Sequence, residues 1–263
     1  MIKSLIDNNY LIRQLIKKDI EQRYKGSVLG IFWSFLIPIL MLIIYTFVFS
    51  EVFQAKWGSG STDNKFEFAL ILFCGLSAFN MVSEVMNRST VLIASNVNYV
   101  KKVIFPLEAL PVIITFSSLF NCLISYLILI VAKLFLEGNI SKTLYQIIFL
   151  FIPLILLCVG LSLFISAISV YLKDVGNAIG VIVTILMYMS PVFFPLASVP
   201  ERFQIICMIN PMTYIIENFR KVTLYGENID IMFYLISLIV ALLFCVFGKV
   251  VFYRAKEGFA DVL

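Results

Sequence analysis

Long apolar runs separated by short polar stretches organise this chain. Six of them, at roughly 28–49, 66–86, 109–135, 145–171, 176–194 and 231–253, are each close to the ~20 residues a helix needs to cross a hydrocarbon core. Ahead of the first run the pattern differs. Leu5, Ile6, Leu11, Ile12, Leu15, Ile16, Ile20 and Tyr24 recur at helical spacing, with Arg13, Gln14, Lys17, Lys18, Glu21, Gln22 and Lys25 on the other face. This spacing predicts an amphipathic helix with a basic side over residues 1–27, lying among inner-leaflet headgroups, followed by a single transmembrane domain over 28–263.

The connections carry their own signals. Ser95 and Asn96 offer caps, a short amphipathic run follows to Phe105, and Pro106 ends it, which predicts a short helix parallel to the membrane. A charged turn around Lys173 and Asp174 joins runs four and five. After Ser190 and Pro191, the residues Pro195, Pro200 and Pro211 bracket two apolar pieces, 203–209 and 212–219, that are too short to cross. Fusing them into a seventh span would bury Glu201, Arg202, Asn210 and Glu217 at high cost, so they are expected as re-entrant or interfacial helices. The predicted fold is an all-α integral membrane protein. It has six transmembrane helices, an N-terminal amphipathic interfacial helix, and short re-entrant outer helices at about 195–219 between spans five and six.

Composition agrees with that architecture: 61% of residues are hydrophobic and only 14% charged, against about 25% charged in ordinary soluble domains. The net charge of +4 is too small to argue for a nucleic-acid partner. Its distribution says more. On the side holding the N-terminal helix, the 87–108 connection, the Lys173 turn and the C-terminal tail there are twelve Lys and Arg, against six on the other side. That bias places both termini in the cytoplasm. The first run is longer than a signal-peptide core, no small-x-small cleavage site follows Ser50, and it is expected to stay in the mature protein.

Several chemistries lack their residues. The sequence contains no histidine and no Gly-x-x-x-x-Gly-Lys-Ser/Thr segment, so no Ser-His-Asp arrangement or nucleotide-binding P-loop can be drawn, and no catalytic or metal residue is assigned. Cys74, Cys122, Cys158, Cys207 and Cys245 are scattered through apolar sequence as packing residues would be. Among charged residues in or near the runs, Glu84 and Arg88 can pair four apart, while Lys133 and Lys249 sit near span ends where they can snorkel. Proton coupling is therefore disfavoured, sodium coupling through backbone carbonyls stays open, and an energy source on another protein is the leading expectation. Aromatic rings are abundant instead. Phe32, Trp33, Tyr45, Phe79 and Tyr188 are candidates to line a path on which sugar C–H faces can stack.

Three stretches carry a family likeness: residues 23–38 (RYKGSVLGIFWSFLIP), residues 100–108 (VKKVIFPLE), and the Ser190-Pro191 and Asn210-Pro211-Met212 pairs around the outer short helices. Tyr171 to Val175 and the ending Glu257 to Leu263 fit the same pattern, with Lys173 where many members have Arg. In these the chain resembles the membrane subunit of ABC transporters that export polysaccharides and polyol phosphates, including O-antigen, capsule and teichoic-acid exporters. The resemblance implies six transmembrane helices per subunit in a bacterial inner membrane, a homodimer, and two copies of an ABC ATPase that holds ATP and Mg. It also implies a lipid-linked glycan as substrate.

Under that resemblance Arg23 and Lys25 would receive the lipid pyrophosphate. Asn96, Val100, Lys101, Lys102, Ile104 and Phe105, with Lys173 and Asp174, would couple to the ATPase, and Pro195, Pro200, Phe203 and Pro211 would frame an outer gate. O-antigen is the leading substrate reading. A capsule or teichoic-acid exporter, a drug or lipid exporter, and a membrane-embedded transferase remain as alternatives.

Overall fold

The computed structural model describes residues 2–53, 65–101, 105–138 and 141–263, and every regular element among them is helical. A helical turn at Ile2–Asp7 leads into α1 (Asn9–Arg23). The six apolar runs form α2 (Trp33–Tyr45), α3 (Lys65–Ser89), α4 (Ala109–Glu137), α5 (Ile147–Tyr171), α6 (Val175–Met189) and α9 (Ile231–Lys256). Between α6 and α9 lie α7 (Glu201–Ile209) and α8 (Pro211–Arg220), and the chain ends in the short α10 (Phe259–Val262).

Among the described residues, five segments are long and apolar enough to cross a membrane: Gly30–Phe49, Phe66–Ser89, Ala109–Leu136, Lys142–Tyr171 and Ile231–Lys256. The fifth apolar run of the sequence forms a shorter helix than its hydropathy suggests. α6 has 15 residues, about 22 Å at 1.5 Å per residue, and stops at Met189. Pro191 drives the preceding residue out of the helical region, and Ser190 is extended, its hydroxyl bonding back to the carbonyls of Leu186 and Met187 at 2.7 and 3.0 Å. The first span is extended by a π-helical turn, Thr46–Val52, in which Thr46 Oγ1 donates to the Leu42 carbonyl at 2.8 Å.

α3 is the hub. It is largely apolar and mostly buried, with one polar stripe at Asn80, Ser83, Glu84 and Asn87, and α4, α5, α6 and α8 pack about it. Hydroxyls bridge these helices where lipid offers no partner: Ser89 donates to Ser162 at 2.8 Å, and the buried Tyr126 donates to the Cys74 carbonyl at 3.1 Å. α5 and α9 cross at glycines. A Cβ on Gly160 would lie 2.5 Å from the Cys245 backbone nitrogen, and one on Gly248 would strike the Gly160 carbonyl, so neither position tolerates a side chain at this separation. α4 ends at Gly138, which takes φ 70° and returns its N–H to the Leu134 carbonyl at 2.9 Å.

The amphipathic N-terminal helix forms as its spacing predicts, and one edge of it packs on α4. Ile12 is buried there, while Ile6, Tyr10 and Leu11 stay exposed.

Candidate functional site

A cleft of about 180 Å³ opens between the first span, α3 and α4. The rings of Trp33, Tyr45 and Phe73 form part of its wall, and Tyr24, Ser77, Asn80, Asn121 and Ser125 supply polar groups. Each wall has a local reason. Trp33 Nε1 donates to Ser27 Oγ at 2.8 Å, which fixes the indole at the start of α2. Tyr24 donates to Asn121 Oδ1 at 3.3 Å, joining the chain just after α1 to the middle of α4. Asn80 stands exposed on the one open face of α3. Amides and hydroxyls beside aromatic faces form a surface that can stack on a pyranose and exchange hydrogen bonds with its hydroxyls.

The five candidate path residues separate here. Trp33 and Tyr45 share the cleft. Phe32 is 54% exposed on the flank of the first span, and Tyr188 is 64% exposed on α6, stacked against Phe193 at 6.0 Å between centroids. Phe79 is a correction: it is 2% exposed, on the buried face of α3, and lines no path in this protomer. Its neighbour Asn80 takes the open position. The polar lining of Asn80, Asn121 and Ser125 was missed by sequence reasoning, although three amide or hydroxyl groups inside apolar runs were a visible signal.

Arg23 is held in an ion-pair network. It pairs with Glu84, donates to Ser117 and Ser118 at 2.9 and 3.3 Å, and lies 3.9 Å from Asp19. Arg88 closes the ring with two bonds to Asp19 at 2.6 and 2.8 Å and one to Glu84 at 3.4 Å. The i,i+4 pairing of Glu84 with Arg88 is thus present, enlarged into a clamp of α1 onto α3 and α4. Lys25 is exposed.

At the opposite end the outer segment is tied down. Arg220 is fully buried and donates to the carbonyls of Ile71, Pro191 and Val192 at 3.3, 2.5 and 2.9 Å and to Glu217 at 3.0 Å. Gly75 leaves the room it needs. Lys133 does not snorkel. It is buried, and its ammonium bonds Ser141 and the carbonyls of Thr223 and Leu224, groups left over where the helical segment after α8 ends.

The gate residues divide accordingly. Pro195 and Pro200 flank exposed turns, and Phe203 on α7 is 46% exposed under the Arg202 guanidinium. Pro211 opens α8 at its first turn, capped by Asn210 accepting from the Met212 N–H at 3.0 Å. α8 is core: Met212, Ile215, Ile216 and Phe219 are buried, so it is no loose surface helix.

Among the described residues of the 96–105 run there is one helical turn, Val97–Val100, after a 3₁₀ turn that ends at Asn96. Lys102 and Ile104 lie outside the described residues. Val100 and Phe105 are half-buried against the protomer's own core, Tyr99 stacks on Phe105 at 4.3 Å, and Lys101 is exposed. Lys173 and Asp174 are exposed on the neighbouring turn, where a Cβ on Gly176 would touch Thr90 Oγ1. The two presumptive contact surfaces therefore share one end of the bundle. All five cysteines are free thiols, and no group of metal-binding side chains occurs among the described residues.

Comparison with known proteins fits this geometry. The chain is 25% identical over 261 residues to the O-antigen export system permease protein RfbA of Klebsiella pneumoniae, covering 96% of this chain and 95% of that protein. It is 24% identical over 226 residues to the RfbA permease of Myxococcus xanthus, with 84% and 83% covered. It is 22% identical over 241 residues to the polysialic acid transport protein KpsM of Escherichia coli, with 88% and 90% covered. The ABC-2 type transporter family model matches residues 10–224, and the chain belongs to that family.

Proposed function

We propose that this chain is the permease subunit of an ATP-driven exporter that moves a lipid-linked polysaccharide of the O-antigen type across the bacterial inner membrane. The observation that carries this reading is its nearly end-to-end similarity to proteins named as O-antigen export permeases. The ring-and-amide cleft supports it, because a polymer channel must hold successive sugars without reading any one of them. A homodimer is the expected unit: the first span is mostly exposed in the single protomer, and one slim bundle cannot enclose a hydrated polymer.

In this reading α6 makes a short fifth crossing, giving six in all and leaving both termini in the cytoplasm. α1 lies at the inner interface, where Ile6, Tyr10 and Leu11 meet lipid. Lys25, with Arg23 behind it, meets the lipid pyrophosphate. The 96–101 turn and the Lys173-Asp174 turn receive two copies of an ABC ATPase, which supplies ATP and Mg chemistry. α7 forms the movable part of the outer gate, with α8 as its anchored base. The similarity to a polysialic acid transporter favours a capsule-type glycan as the second reading.

The test is complementation in strains lacking their own O-antigen or capsule permease, with the cognate ATPase co-expressed. Surface glycan restored in the O-antigen strain supports the first reading, and restoration only in the capsule strain supports the second. Intracellular lipid-linked glycan that persists in both strains, with the protein inserted and the ATPase bound, would defeat them.

A further inference from the structure

The cytoplasmic ends of α4, α5 and α9 meet at one point. Glu108, immediately before α4, is 4% exposed, an unusual burial for a carboxylate. Its Oε1 accepts from the Tyr253 hydroxyl at 3.0 Å and its Oε2 from the Lys256 ammonium at 3.2 Å. Tyr253 and Lys256 occupy the last turn of α9. From the other side the Tyr171 hydroxyl, at the end of α5, donates to the Ala255 carbonyl at 2.6 Å, which also accepts from the Gly258 N–H at 3.1 Å. Phe259 then seals the joint. It is fully buried, edge-on to Phe252 at 5.6 Å and tilted against Tyr171 at 6.2 Å. A Cβ on Gly258 would come within 2.5 Å of the Tyr171 hydroxyl and so would displace it from the Ala255 carbonyl.

What these residues connect is more telling than how tightly they pack. Glu108 lies within the turn that the Ala109 N–H closes onto the Pro106 carbonyl at 2.9 Å, and Phe105 before that turn is stacked on Tyr99 of the 97–100 turn. Tyr171 is two residues before Lys173. The end of α9 therefore holds both surfaces assigned to the ATPase, one through the ion pair of Lys256 with the buried Glu108 and the other through a hydroxyl and an aromatic plug.

We propose that the α9 end, locked by Glu108, Lys256 and Phe259, is a cross-tie that makes the two ATPase contacts of one protomer move as a single body. The proposal rests on the functional reading above for its purpose, while its mechanical content concerns this chain alone. Without the tie, a displacement delivered to the 97–101 turn could be absorbed locally, and the bond from Tyr171 to α9 would carry nothing to α5. With it, either contact displaces the ends of three spans together. These are positioning residues.

The test places spin labels at Lys101→Cys and Lys173→Cys, both exposed, on a cysteine-free background in lipid nanodiscs. Their distance distribution is measured for the chain alone and for its complex with the ATPase, nucleotide-free and vanadate-trapped. The expected result is one narrow distance that is unchanged by trapping, and a distribution roughly twofold broader in Glu108→Gln and in Phe259→Ala. The charge swap Glu108→Lys with Lys256→Glu should restore the narrow distance. In cells the two single variants should keep ATPase binding and hydrolysis while glycan exported per ATP falls roughly tenfold.

A distance in the parent protein that changes on trapping, or single variants as narrow as the parent, would overturn the cross-tie. So would a swap that leaves the broadening uncorrected while the protein still elutes as a folded species. Failure of the functional reading would look different: no ATPase bound and no glycan exported by the parent, with the nanodisc distances still obeying the tie.

Discussion

Replacing Arg220 by Met keeps a long, flexible side chain at this buried position but removes every donor that the guanidinium supplies. The carbonyls of Ile71, Pro191 and Val192 lose a partner each, and Glu217 loses its counter-charge. Hydrogen bonds to charged groups contribute about 1.5–3 kcal/mol each, but Met recovers part of the packing, and the four are not additive. Breaking a buried charged cluster by removing one member costs about 3–5 kcal/mol, which is the figure to expect. At about 2–4 °C per kcal/mol for a chain of this size, the thermal midpoint should fall by roughly 6–20 °C.

The assay is the fraction of detergent-solubilised protein that still elutes as a single species after stepwise heating. Arg220→Lys should fall between parent and Met, because an ammonium keeps the charge and loses the fork that reaches Pro191 and Val192 together. Gly75→Ala should act in the same direction and more weakly, its Cβ lying 2.9 Å from Nη2 of Arg220 and 3.2 Å from Ile216. A midpoint for Arg220→Met within ~2 °C of the parent would refute the reasoning. It would mean that these four bonds are no better than those the unfolded outer segment makes in its solvent.

Three further expectations follow from the geometry. Gly160→Ala should lower the midpoint by a few degrees, as overpacking by about 1–3 kcal/mol would. Gly180→Ala, where no atom lies within 4 Å, should be neutral or stabilising, and equal effects at the two positions would remove the crossing from the argument. Glu84→Gln should loosen α1 from α3, raising amide exchange across Asn9–Arg23 roughly tenfold by mass spectrometry while α5 stays protected; unchanged exchange in α1 would show that the clamp is idle. The third concerns pH. Burial pushes the Glu108 carboxyl up, but its own backbone N–H, Lys256 and Tyr253 together hold it below the ordinary 4.5. A depressed carboxyl stabilises the fold above its unfolded value and loses that contribution as pH falls through the folded one, so midpoints should drop below pH 4.5 more steeply in the parent than in Glu108→Gln.

The spans were legible because a run of apolar residues long enough to cross lipid has few other stable fates, and the Ser190-Pro191 break was legible because proline restricts its predecessor. The face of α3 was only partly legible. Asn80, Ser83, Glu84 and Asn87 recur at helical spacing and mark its open side, but the apolar residues that fill the rest of the helix do not show that Phe79 packs against neighbouring helices instead of lining a path. Glu84 and Arg88 were readable as a local pair, yet the reach of that pair to Asp19 and Arg23 joins residues sixty or more positions apart, beyond any periodicity. Lys133 went astray for a related reason. Sequence shows a cation near a span end but not the orphaned carbonyls of Thr223 and Leu224 that draw it inward.

The exposed first span has a consequence for how such a protein can change over time. The wall that carries Trp33 and Tyr45 belongs to the helix that contributes least to the protomer's interior, since among α2 residues only Ser34 is buried, whereas the hub α3 carries the fold. The cleft is thus shared between a helix that carries the fold, through Phe73, Ser77 and Asn80 of α3, and one that does not. Under the proposed function, substitutions along α2 alter the cargo wall without eroding the scaffold, and a mutational scan should find α3 intolerant and α2 permissive for folding.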